Sequence, residues 1–297
     1  MSSSSLRSFE IMMHELFSEM AKKRNDDLNS GFKTLDSLIN GFRPGELIII
    51  AARPGMGKTS FALNIARNIC KKNKIILFSL EMSCYSLACR ILASMTKIPL
   101  KKLINKTIDE RDKSRIQEFT NQIPNFKLFV DDSSDVDFVT IKDEIKSLGN
   151  IDLIIVDYLQ LIDTGSGVNR VMEITKLTRN FKNLARELNI PIILLSQLSR
   201  ACESRQDKRP TMSDLRDSGS IEQDADKVML IYRPGYYFEK IDPEDCEIIV
   251  AKNRSGDTGV VNIKWYGQYS LFEDVIETKV EDEKSTIQNT NFNQINF

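Results

Sequence analysis

No apolar run in this sequence approaches the ~20 residues that a membrane span needs, and no basic stretch leads into an apolar one of signal-peptide length. A soluble, cytoplasmic protein with no membrane partner is expected. Net charge is almost absent too, since 41 basic residues face 42 acidic ones for a formal balance of −1. Such a chain offers no global attraction to nucleic acid or lipid, so any such contact has to be local. Paired cysteines are missing as well. The five thiols, Cys70, Cys84, Cys89, Cys202 and Cys246, are odd in number, show no C-x-x-C spacing, and mostly fall in apolar or helical runs where a thiol packs as a small hydrophobe. That pattern fits a reducing compartment. Internal repeats are lacking, and 297 residues bury one substantial α/β core with a short segment at either end, which argues against a second full domain.

What is present is a change of rhythm along the chain. Phe9, Met12, Met13, Leu16, Phe17 and Met20 recur at three-and-four spacing, which predicts an amphipathic helix ending in "AKKRNDD". The stretch "NSGFKTLDSLINGFRPGEL" has three glycines and a proline, and reads as a loop with one helical turn; a domain boundary near Ser30 follows. Beyond it, the runs "LIIIAA", "KIILFSL", "FKLFV", "IDLIIVD", "IPIILLSQ" and "KVMLIY" are interleaved with helical patterns such as "TSFALNIARNIC" and "CYSLACRILASMTK". Continuous Ile, Leu and Val runs separated by helices predict an α/β fold with a doubly wound, mainly parallel sheet covered on both faces. The last runs, "CEIIVAKNR", "GVVNIKWYG" and "YSLFEDV", have no helices between them and predict an antiparallel extension at one edge. From about Glu277 the Asn- and Gln-rich composition predicts a disordered tail. Residues 1–30, 31–276 and 277–297 are therefore expected to be a helical segment, a single α/β domain and a tail.

"AARPGMGKTS" resembles the phosphate-loop pattern G-x-x-x-x-G-K-[ST], with Ala52 in the place of its first glycine. The loop follows a predicted strand and opens a predicted helix at Lys58, which is the context that pattern requires. Gly55 and Gly57 let the backbone curl so that its N–H groups face inward, and the helix N-terminus adds a positive end. Arg53, Pro54, Gly55, Met56, Gly57, Lys58, Thr59 and Ser60 are the candidate nucleotide-binding residues, with Lys58 as a point charge for the outer phosphates and Thr59 on magnesium. Holding magnesium also takes a carboxylate from a second strand, and Asp157 closes the buried run "IDLIIVD"; a cap on the following turn is the bland alternative. Hydrolysis also needs a group that orients and deprotonates water. Glu81, in "LFSLEMS", is placed for that task, although by itself it reads equally as a helix cap or a solvated strand end.

Taken together, "AARPGMGKTSFALNIA", "LFSLEMS", "DLIIVDYLQLI", "IPIILLSQLSR", "RPTMSDLRDSGSIEQDAD" and "EIIVAKNRSGDTGVVNI" resemble the C-terminal motor domain of the DnaB family of replicative helicases, from roughly Gly31 to Val275. The family's own phosphate loop commonly begins with Ala, which accounts for Ala52, whereas Gly55 stands where that family often has Ser. The resemblance implies a RecA-like fold with ATP and Mg2+ as cofactors. It assigns Glu81 to polarising the attacking water, Asp157 and Thr59 to the metal, and Gln197 to sensing the γ-phosphate; a strand-end amide bonded only to backbone is the alternative for Gln197. Lys252 and Arg254, two apart in "AKNRSG" and so expected on one face of a strand, resemble residues that reach the neighbouring subunit's nucleotide. Read without the family, they are a solvated strand end.

That match implies a homo-oligomer, a hexameric ring, with single-stranded DNA threaded through it and translocation running 5′ to 3′. In "SDLRDSG", Arg216, Asp217 and Gly219 match positions that touch the DNA backbone, with Asp217 replacing the usual Glu; a mixed-charge surface turn is the alternative. No aromatic platform accompanies them, which fits backbone tracking without base readout. A helicase loader is a further implied partner. Full-length members carry an N-terminal collar domain, so with about thirty residues before the motor the collar is expected to be missing, and Phe9 to Met20 resembles the linker helix that docks on an adjacent motor; packing into the chain's own core is the other reading. Two functions remain open: an ATP-driven helicase motor, or a RecA-like DNA-binding ATPase, a recombinase or mediator, that does not unwind.

Overall fold

The computed structural model describes residues 8–21, 28–133, 136–157, 159, 162, 170–215 and 219–275. The aliphatic runs form β1 (Leu47–Ala52), β2 (Ile75–Ser79), β3 (Leu128–Asp131), β4 (Leu153–Asp157), β5 (Ile192–Gln197) and β6 (Lys227–Tyr232), all pairing in parallel. Every residue of β1, β2, β4 and β6 is buried, because helices cover both faces and each face of the pleat needs apolar side chains. Ile48, Ile50 and Ala52 of β1 join one core, and Leu47, Ile49 and Ala51 join the other, as the two-residue period of a strand dictates.

The first core is closed by α2 (Lys33–Ile39), α3 (Lys58–Ile69) and α4 (Cys84–Thr96), through side chains such as Leu35, Phe61, Ile65 and Leu87. A satellite cluster of Ala93, Ile98 and Leu103 joins α4 to α5 (Leu100–Ile104) and to α6 (Glu110–Thr120). The second core is closed by α7 (Phe138–Leu148), α8 (Arg170–Leu188) and α9 (Gly219–Asp224), with Ile141, Ile145, Phe181, Leu184 and Ile221 facing the sheet. The antiparallel extension is present as β7 (Asp245–Asn253), β8 (Gly259–Tyr266) and β9 (Leu271–Asp274). Its β7 and β8 alternate buried and partly exposed residues, since only one face meets the core. Among the described residues the sheet order is β3-β2-β4-β5-β1-β6-β7-β8-β9. The chain leaves β1 on one side for β2 and returns on the other for β6. The carboxyl ends of β1, β2, β4 and β5 therefore converge where connections diverge, which is where open α/β sheets bind ligands.

Two details depart from the sequence reading, and a third removes one of its alternatives. The pre-strand loop contains a two-turn helix, α2, and not a single turn: Asp36 accepts the N–H groups of Ser30 (2.7 Å) and Gly31 (3.1 Å), while Leu35 and Ile39 bury one helical face. Arg254 lies in the turn beyond β7, not on the strand with Lys252. The helix at the N-terminus, α1 (Phe9–Ala21), leaves Phe9, Ile11, Met12, Leu16 and Phe17 exposed, which excludes packing of that stripe into the core. No helix among the described residues is long and apolar enough to cross a membrane. The expected tail lies outside the described residues.

Candidate phosphate-binding site

Ala52 is the last residue of β1, paired in register with Gln197 of β5. Its backbone is extended, so the glycine of the common pattern is not needed there. The left-handed conformations fall instead at Gly55 (φ +80°) and Gly57 (φ +96°), where a side chain would be strained; a Cβ on Gly57 would also stand 3.0 Å from the Phe272 ring. The turn closes with Met56 N–H donating to the Arg53 carbonyl at 3.2 Å, and α3 begins at Lys58.

Lys58 extends to Asp157 at the end of β4, with Nζ 3.4 Å from Oδ1, and both side chains are nearly buried. Burial is the largest influence on the Lys58 ammonium and lowers its pKa; Asp157 and then Glu81 oppose it. The bound phosphates of a nucleotide would act in the same direction as those acids. Thr59 Oγ1 donates to Asp157 Oδ2 at 2.5 Å. Beyond that ion pair with Lys58, the buried Asp157 Oδ1 accepts no hydrogen bond, which leaves it suited to a water in the shell of a divalent cation. Among the described residues no cluster of three or more His, Cys, Asp or Glu side chains forms a protein-only cage, which fits a magnesium ion that takes most of its ligands from water and phosphate.

Lys58 and Thr59 line one cavity of about 370 Å³, together with Glu81 and Gln197, while the fully buried Asp157 lies behind them and reaches it through their side chains. Glu81 stands just past β2 and is exposed to the cavity, while Gln197 ends β5 beside the phosphate loop. The Ser60 hydroxyl turns to Ser270 (2.7 Å), and Met56 is buried in the core, so their side chains serve packing. Arg53 points its guanidinium at Leu198 and Glu203.

Two groups at the site were missed in the sequence. Arg90 of α4 lines the cavity and donates from Nη1 to Ser60 Oγ (3.3 Å) and Ser270 Oγ (3.2 Å). Its pKa is lowered by burial and raised by Asp157 and Glu81. The available signal was an arginine on the buried face of α4, spaced three from both Leu87 and Ala93. The second group stands just past the parallel strand β6: Arg233 donates to the Gly55 carbonyl at 3.1 Å and lies 5.4 Å over the ring of Trp265, a β8 residue that lines the cavity. No local pattern announces that approach.

Lys252 and Arg254 do not line this cavity. Lys252 Nζ donates to the Glu222 carbonyl, and Arg254 Nη2 to the Gln223 carbonyl at 2.7 Å, so both cap the carboxyl end of α9. Arg216 and Asp217 lie outside the described residues, and Gly219 opens α9.

A family model described as the DnaB-like helicase C terminal domain matches residues 27–274. This chain belongs to that family. Among curated relatives, the probable replicative DNA helicase of Trieres chinensis is 42% identical over 285 residues, covering 92% of this chain and 63% of that protein. The replicative DNA helicase DnaB of Geobacillus stearothermophilus is 41% identical over 266 residues, covering 86% of this chain and 58% of that protein. The chain thus spans about six-tenths of the length of these relatives. Among solved structures, a DnaB-like replicative helicase, described with its interactions with primase, superposes with a TM-score of 0.85 at 31% identity, over 90% of this chain and 68% of that one. A solved ATPase domain gives a TM-score of 0.85 at 31% identity, covering 91% of this chain and 100% of that one. The RadB recombinase shares the fold with a TM-score of 0.54 at 18% identity, over 84% of this chain and 99% of that one. A RecA-like sheet therefore does not by itself separate helicase from recombinase, whereas the DnaB-like family membership does favour the helicase.

Proposed function

We propose that this chain is the ATP-driven motor of a replicative DNA helicase, acting in a ring on single-stranded DNA and unwinding duplex. The observation that carries the reading is the meeting of Lys58 and Thr59, both held by the buried Asp157, with Glu81 and Gln197 in one cavity at the carboxyl edge of the sheet. The inward N–H groups of the loop and the Lys58 ammonium would hold the β- and γ-phosphates of ATP. Thr59 and Asp157 would hold magnesium, which would supply positive charge to offset that of the phosphates. Glu81 would orient a water and accept its proton as it attacks the γ-phosphorus, in line with the departing ADP oxygen. Gln197 would hydrogen-bond the γ-phosphate and lose that partner when phosphate leaves. Arg254, with Lys252, would serve the site of the next subunit and offset the charge that spreads over the γ-phosphoryl oxygens. Arg216, Asp217 and Gly219 would contact the DNA backbone, and the DnaB-like membership supports a homo-hexamer, a loader partner and a cytoplasmic setting.

The deciding measurement is unwinding of a forked DNA substrate. ATP-dependent strand separation by the parent chain is expected. Lys58→Ala is expected to abolish nucleotide turnover, and Glu81→Gln to keep nucleotide binding while lowering hydrolysis by about 10²-fold or more. Hydrolysis stimulated by DNA but never accompanied by strand separation would favour a non-unwinding ATPase, and near-parental turnover by Glu81→Gln would remove Glu81 from its role.

A further inference from the structure

Arg53 of the phosphate loop lines the same cavity as Lys58 but directs its guanidinium to a second loop. Arg53 donates from Nη1 to the Leu198 carbonyl at 2.8 Å and from Nε to Glu203 Oε1 at 2.9 Å, so one rigid guanidinium grips two points five residues apart. Leu198 follows Gln197 directly, and its own N–H bonds to the Ala52 carbonyl at 3.0 Å. Glu203 sits on the single 3-10 turn Arg200–Ser204. From there the chain doubles back: Leu198 and Leu215 form an antiparallel bridge, and Ser199 N–H donates to the Asp214 carbonyl at 2.8 Å. The buried Asp214 accepts the Thr211 N–H at 2.7 Å and pairs with Arg205. Residues 198–215 are therefore one tied loop, fastened to the phosphate loop at its start and running at its end into residues 216–219. A cavity of about 420 Å³, lined by Arg53, Gln197 and Ser199 among others, opens beside the clamp, so packing alone does not hold the two loops together.

Stability does not account for the clamp. Glu203 is 38% exposed, and a pair with one partner in water contributes little to folding. We propose that Arg53 and Glu203 are positioning residues, which couple the phosphate loop to the 198–215 loop so that the state of the bound nucleotide is passed toward residues 216–219. The link from 216–219 to DNA rests on the function proposed above; the clamp itself does not. The conservative change separates the two prongs: Arg53→Lys keeps a charge for Glu203 but cannot hold that carboxylate and the Leu198 carbonyl at once.

The first test needs no DNA. Amide hydrogen exchange of residues 199–215 is measured on the full chain, with and without Mg2+ and the non-hydrolysable triphosphate AMP-PNP. In the parent, nucleotide is expected to change protection there at least fivefold. In Glu203→Gln and Glu203→Ala the change is expected to fall below twofold, with AMP-PNP affinity within twofold of the parent, and Glu203→Asp should restore part of it. A parent without any nucleotide-dependent change, or a change that survives intact in Glu203→Gln, overturns the proposal. The second test is steady-state ATP hydrolysis with and without a single-stranded oligothymidylate. Glu203→Gln is expected to keep basal turnover within twofold and lose at least fivefold of the DNA stimulation. If the exchange result holds while the parent shows no DNA stimulation, the clamp stands and the DNA reading of 216–219 falls.

Discussion

At the scale of single residues, the site is a balance of charge against burial. Lys58 is an ammonium made costly by burial and sustained by Asp157 and Glu81, so replacing it removes phosphate affinity and also leaves the fully buried Asp157 without its ion-pair partner. Arg254 is different in kind. Its guanidinium is half-exposed and rests on the Gln223 carbonyl and on Asp226, whose other oxygen is held by Lys182 at 2.6 Å. An arginine so placed serves no phosphate in its own chain, and nucleotide affinity of the isolated Arg254→Ala chain is expected to stay near that of the parent. If it acts across a junction, Arg254→Ala subunits mixed with Lys58→Ala subunits will assemble some junctions with both groups intact and recover part of the ATPase activity. Steady-state hydrolysis across mixing ratios, with mixed assembly verified, measures this; no recovery at any ratio would assign Arg254 a role within its own chain.

At the scale of elements, α1 and the parallel strands show opposite logic. β1 buries both faces within one chain, whereas α1 carries an apolar stripe that its own chain leaves exposed. Covering that stripe at a neighbour's surface could contribute several kcal/mol per junction, at about 25 cal/mol per Å² before association costs. The fold does not depend on it. Leu28, just beyond the segment, is tied to Phe42 by N–H to carbonyl bonds of 3.2 and 2.8 Å in the two directions, and it belongs to the first core. Removal of residues 1–27 is therefore expected to leave a cooperatively folded domain, while ring assembly, DNA-stimulated hydrolysis and unwinding weaken together. Sedimentation with nucleotide and thermal unfolding separate the two effects; assembly as tight as that of the complete chain would show that α1 is not a subunit connector.

At the scale of the whole molecule, the near-neutral net charge means that the DNA affinity proposed above would have to come from a few local contacts, repeated around the proposed ring. Arg216→Ala is expected to weaken single-stranded DNA binding by a similar factor for every sequence tested. It should also flatten the dependence of log affinity on log salt by about one per contact removed, with basal ATP hydrolysis largely kept. Anisotropy titrations against oligonucleotides of different composition, over a range of salt, report both quantities. A loss confined to some sequences would mean that bases are read.

Much of this was legible in the linear chain. The parallel core, the antiparallel edge and the phosphate loop were readable because burial on both faces demands unbroken aliphatic runs, burial on one face demands alternation, and a curled loop demands glycine at fixed offsets. Asp157 was readable as a candidate because an acid that closes a buried strand needs a reason to be there, whereas Gln197 was singled out only by the family resemblance. The two-turn α2 was hidden by the glycines around it, since the Asp36 contacts that set its entry bridge back across the loop. Arg90, Arg233 and Trp265 were hidden because they reach the phosphate loop or its cavity from a helix, the end of β6 and the edge extension, separated from that loop in sequence by about 30 to 210 residues. The sequence by itself determined which strands form and which loop can hold phosphate, through local periodicity and backbone freedom. Only the tertiary structure decided that Arg53 belongs to the Leu198 and Glu203 clamp, that Lys252 and Arg254 cap α9, and that α1 is left uncovered, because each of these depends on which surfaces the sheet order brings together.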